Sequence, residues 1–73
     1  MKTIQEINAL LGQMVAIQTV DGDTYFGRLN NTIVHNENVE VHLSRHVFHV
    51  SDLNDIMTLK EWERARKSKE ELQ

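Results

Sequence analysis

The sequence contains no cysteine, which excludes disulfide bonds and thiolate chemistry and fits a reducing cytoplasm. It contains no proline either, so its turns have to be read from glycine, asparagine and aspartate. Long apolar runs are missing: no window of about 18 apolar residues spans a bilayer. The opening segment MKTIQEINALLG carries Glu6 and Asn8 where a secretory signal needs an apolar stretch. The expectation is a soluble, cytoplasmic protein with no membrane partner. Equally absent are a Gly-x-Ser-x-Gly turn, a phosphate-binding glycine loop and paired carboxylates in an apolar setting. We therefore expect no enzyme, no catalytic residues and no cofactor. Acidic residues outnumber basic ones and the net charge is −3, the wrong sign for broad affinity to nucleic-acid backbones. A local base-stacking site remains compatible with that charge.

What is present fits one small domain. Seventy-three residues bury only a modest core, so assembly with other copies is an expected source of stability. Glycine is scarce, at positions 12, 22 and 27 only, and each has a separate reading. Thr3 and Glu6 form a capping-box pattern, Ile4, Ile7, Leu10 and Leu11 make one apolar stripe, and Gly12 ends the helix they predict over residues 3–11. The segment MVAIQTV then alternates as a strand, and Asp21 and Gly22 predict a two-residue hairpin turn. The second strand is expected to turn Tyr25, Gly27, Leu29 and Ile33 inward, with Gly27 permitting a sharp bend. HNEN, residues 35–38, reads as a loop. A third strand follows, with Val39, Val41 and Leu43 inward, and a hairpin at Ser44 and Arg45 sets Val41 against Phe48 and Val39 against Val50. SDLND reads as a turn and IMTL as the last strand. The fold class is thus mainly β, an N-terminal helix followed by a five-stranded, strongly bent antiparallel sheet. Residues 1–59 form the barrel domain and 60–73 a charged helical extension, with Trp62 as its packing residue.

Val15 and Ile17, the turn at Asp21 and Gly22, then Tyr25, Gly27, Leu29 and Asn38 make up one motif. Together with a second, degenerate one at Val47, Phe48, His49, Val50, Ser51, Asp52 and Leu53, it resembles the Sm-like (LSm, Hfq-type) family over residues 3–59. His49, Val50 and Asp52 stand where that family usually has Arg, Gly and Asn. The resemblance implies a small barrel whose copies join through edge strands 47–50 and 56–59 into a homo-oligomeric ring. Its loops would line a pore that binds single-stranded RNA. On that footing His35, Asn36, Asn38, His49 and Asp52 are the candidate RNA-binding residues. Counting forward from Gly27 puts His35 at the base-stacking position, and counting back from the third strand puts Asn38 at the base-contacting one. Both counts hold only with one extra residue in the 35–38 loop.

The residues also support plainer roles. Asn and His suit a tight loop, Asp52 caps a short turn, and His49 is an exposed strand residue opposite Glu40. His42, His46 and His49 are close in sequence, yet the register sends His46 to the other face, so no metal site is expected within one subunit. Arg28, Arg45 and Lys60 are candidate phosphate contacts. The functional readings are an RNA-binding ring, a scaffold ring of the same architecture without RNA, and an unrelated small barrel acting as a monomeric adaptor.

Overall fold

The computed structural model describes residues 2–71. Helix α1 (Ile4–Asn8) begins with the expected capping box: the Thr3 hydroxyl accepts from the Glu6 backbone N–H at 3.2 Å, and the Glu6 carboxylate accepts from the Thr3 N–H at 3.1 Å. The helix stops earlier than residue 11. Leu10 and Leu11 donate to Ile7 and Asn8, tightening the chain to three-residue spacing, and the Gly12 N–H turns away to the Leu29 carbonyl at 2.8 Å. Ile7 and Leu10 are buried in consequence, while Leu11 is exposed.

Five antiparallel strands follow: β1 (Met14–Thr19), β2 (Thr24–His35), β3 (Asn38–Leu43), β4 (Val47–His49) and β5 (Leu53–Thr58). They form one open sheet in the order β4-β3-β2-β1-β5. A single turn of 3-10 helix, Val50–Asp52, links β4 to β5, and α2 (Leu59–Glu71) packs on β1 and β5. Residues 72 and 73 of the expected extension lie outside the described residues. Among the described residues no helix is long and apolar enough to cross a membrane.

Two local expectations change. The turn between β1 and β2 takes three residues, because Thr19 and Asp23 are joined by the Thr19 N–H to Asp23 carbonyl bond at 2.9 Å and Gly22 takes φ +94°. That left-handed residue belongs to the three-residue hairpin loop. Strand β5 starts at Leu53, so all of SDLND is 3-10 turn or strand; Asn54 and Asp55 look like turn residues because an edge strand tolerates polar side chains.

The long strand β2 is shared. Residues 24–28 pair with β1 and residues 29–35 pair with β3. Gly27 stands just before the change of partner: a Cβ there would lie 3.4 Å from Leu43 Cδ1 and 3.5 Å from its Cβ. A methyl group fits there, and a larger side chain would press on Leu43, which packs over β2 at this point. A register shift then falls between Leu29 and Asn31, leaving Asn30 as the irregular residue. One residue of slip reverses the faces. Thr32 and Val34 oppose the inward Val41 and Val39, whereas Ile33, expected inward, opposes Glu40 on the outer face. The Thr32 hydroxyl donates to Asn8 Oδ1, tying α1 across the sheet.

The core is Ile7, Leu10, Val15, Ile17, Leu29, Val41, Leu43, Leu53 and Ile56, with Phe48 and Val50 packed against it. Each fully buried Ile or Leu contributes about 1.5–3 kcal/mol. The expected pairing of Val41 with Phe48 is present, but Val50 has left the ladder for the 3-10 turn.

Gly27→Ala is expected to stay within about 1 kcal/mol of wild type, since a methyl group meets Leu43 at ordinary contact distance. Gly27→Val adds bulk against Leu43 and is expected to lose about 1–3 kcal/mol, read as the urea midpoint by circular dichroism. A second outcome concerns acid. Hydrogen bonds from the Thr3 backbone N–H and then the Thr3 side chain hold the Glu6 carboxyl below its ordinary value. A lowered folded-state pKa means that the cap's stabilisation is complete above the unfolded value and is lost as pH falls through the folded one. NMR titration should show the α1 amides shifting in step with that carboxyl below the usual carboxylate range. Glu6→Gln should remove the titration while keeping an acceptor.

Candidate nucleic-acid interface

The turns after β2 and after β4 come to one side of the sheet. His35 ends β2 and faces Asn38, the first residue of β3, so both are strand residues and only Asn36 and Glu37 form the turn. The turn is two residues long, and the irregularity in β2 sits upstream, at Asn30. Asn36 takes φ +55°, a left-handed conformation that asparagine tolerates better than most residues. Its first role is therefore to make the turn.

A cleft of about 230 Å³ lies between this turn and the 3-10 turn, lined by Glu37, Asn38, Val39, His49, Val50 and Ser51. Of the five candidate residues, Asn38 and His49 meet here. His35, Asn36 and Asp52 do not line the cleft. The Asp52 carbonyl accepts from the Val20 N–H at 3.0 Å, which fastens the 3-10 turn to the first hairpin. His49 is exposed and faces Glu40 across the ladder, and Glu40 in turn bonds the His42 ring nitrogen at 3.1 Å. His46 lies elsewhere, against Tyr25 and Phe48.

The chemistry of the cleft is that of a small polar pocket with an apolar floor. The Asn38 amide both donates and accepts, the His49 ring offers a face and two nitrogens, and the Ser51 hydroxyl adds a third group. Such groups read the edge and face of an unstacked base. Glu37 and Ser51 were not singled out from the sequence. Glu37 looked like loop filler in HNEN, and Ser51 looked like part of a plain turn. The Glu37 carboxylate disfavours a phosphate at the same spot.

A second ring cluster was also hidden. Tyr25 lies 5.2 Å from the His46 ring and 5.1 Å from Phe48, centroid to centroid. Tyr25 and Phe48 are half-buried and His46 is exposed, so the cluster closes the inner face where β4 approaches the first half of β2. On the outer face Trp62 stands edge-on to Phe26 at 4.8 Å, with the Arg66 guanidinium 5.3 Å from the indole. Trp62 is thus a packing residue that holds α2 on the sheet.

No family model, curated protein or solved structure matches this chain.

Substitution of Asn36 separates turn-making from ligand contact. Asn36→Gly is expected to leave the unfolding midpoint close to wild type, and Asn36→Val to cost about 1–2 kcal/mol, since a β-branched residue resists the left-handed conformation. Thermal and urea melts check both.

Proposed function

We propose that this chain is the subunit of an Sm-like, homo-oligomeric ring that binds single-stranded RNA and performs no catalysis. The observation that carries this reading is the cleft in which Asn38 of β3 meets His49 of β4. The resemblance places Asn38 at its base-contacting position and His49 where the family has Arg, and the β3–β4 hairpin sets the two diagonally across one ladder. The strand order supports it as well. β4 and β5 are consecutive in the chain yet lie at opposite ends of the sheet order, so each copy offers two different edges. Pairing β4 of one copy with β5 of the next removes both edges from water and closes a ring instead of an open fibre. A ring of about five to seven copies repeats the cleft around a pore, so weak single contacts add through multivalency. The sheet would then act as a small barrel, and the charged C-terminal helix would decorate one face of the ring.

A second reading has its own observation. Glu37 lines the cleft and the net charge is −3, both of which favour a scaffold ring that keeps the architecture without RNA.

Light scattering at micromolar concentration should give a closed oligomer; a monomer would remove both ring readings. Fluorescence anisotropy with labelled oligo-U and oligo-A at low salt should then show binding, and Asn38→Ala with His49→Ala should weaken it about tenfold or more, the scale of losing one stacked and hydrogen-bonded base. Rings without binding would select the scaffold.

A further inference from the structure

The outer edge of β5 is not bare. Ile17 of β1 opposes Ile56 of β5, and the β1 backbone groups at odd positions serve β2, as the Thr19 N–H to Asp23 and Gly22 N–H to Thr19 bonds indicate. The N–H and carbonyl of Ile56 therefore point away from β1, along the free edge. Both are taken by side chains of the same molecule. The Asp55 carboxylate accepts from the Ile56 N–H at 2.8 Å, and the Lys2 ammonium donates to the Ile56 carbonyl at 2.7 Å. The two side chains face each other at 3.8 Å and are only partly exposed. One residue of the edge is thus capped on donor and acceptor together, by groups 53 positions apart in the chain.

We propose that Lys2 and Asp55 form a latch on β5: the edge accepts the β4 edge of a second copy only after the latch leaves Ile56. The occupant is set by what each copy exposes. β4 is the other free edge of the sheet, three residues long, and its first residue, Val47, is 56% exposed. An incoming strand needs the Ile56 N–H and carbonyl for its own ladder, so it competes directly with the carboxylate and the ammonium. Edge pairing is thereby weakened in the free subunit, which protects dilute chains from indiscriminate strand addition. The latch is an ion pair near the surface, so salt loosens it. This inference rests on the ring reading only for the identity of the incoming strand.

The test uses the full chain in three forms, wild type, Lys2→Ala and Asp55→Ala, each checked for folding by circular dichroism. In dilute solution the Ile56 amide of wild type should exchange slowly, and in Asp55→Ala about tenfold faster, while the Met57 amide, directed at β1, stays unchanged as an internal control. Both variants should associate at about three- to tenfold lower concentration than wild type by sedimentation, the scale of one or two competing hydrogen bonds. Added salt should lower the wild-type midpoint more than that of either variant. Lys2→Ala leaves β5 itself untouched and carries the association readout if Asp55→Ala does not fold. Equal Ile56 exchange in wild type and Asp55→Ala would overturn the latch while leaving the ring reading intact. Release of Ile56 with unchanged or weaker association would overturn its gating role. Slow Ile56 exchange with every form monomeric at high concentration would instead overturn the ring reading, and the choice of occupant with it.

Discussion

One strand has to satisfy two partners. The twelve residues of β2 leave β1 and take up β3 partway along, and the rest of the fold follows from how that change is made. At Gly27 Leu43 packs over the strand and leaves room for little more than a methyl group, and at Asn30 one residue drops out of register. Leu29, between these two points, is fully buried. It is the pivot at which the halves of the sheet share a core. Because the slip reverses the alternation beyond it, Thr32 reaches α1 and Ile33 lies on the outer face near Glu40. The turn that leads into Asn38 is therefore aimed by an irregularity several residues before it.

Much of this architecture was legible in the sequence. The capping box at Thr3 and Glu6 and the opposition of Val41 to Phe48 each follow from a local rule, reciprocal hydrogen bonds and matching apolar faces, whereas β1, read as half-buried, has Val15, Ala16 and Ile17 all buried. Gly27 stood out as a strand residue that needed a reason. Asn30 gave no such signal, since two adjacent asparagines in a strand look the same whether or not one is unpaired. The start of β5 was hidden because Asn54 and Asp55 face outward at an edge, where polar composition imitates a turn. The short α1 was hidden by Leu10 and Leu11, which keep an apolar stripe going after the backbone has left the helix.

The site divides in the same way. Asn38 and His49 were found through a resemblance, and Glu37 and Ser51 lie one and two residues from them in the chain, so the expected hairpin register already places the four near one another. The grouping of Tyr25, His46 and Phe48 depends on tertiary structure: Tyr25 and Phe48 lie in strands that are not neighbours in the sheet order, and His46 immediately precedes β4. Electrostatics sets a further constraint. With carboxylates at Glu37 and Glu40 near His49, the long-range attraction that carries most nucleic-acid proteins toward phosphate is weak here. Any such ligand would have to be held by repeated short-range contacts.

The placement of Trp62 has an optical consequence. It is the single tryptophan of the chain, it stands against Phe26 on the outer face, and it belongs to α2 and not to the buried core. Its emission therefore reports one event, the seating of α2 on the sheet, separately from melting of the core beneath the sheet. A chain of this size seldom offers a built-in spectroscopic probe confined to one element, and here it lets undocking of the helix and unfolding of the sheet be timed apart in the same sample.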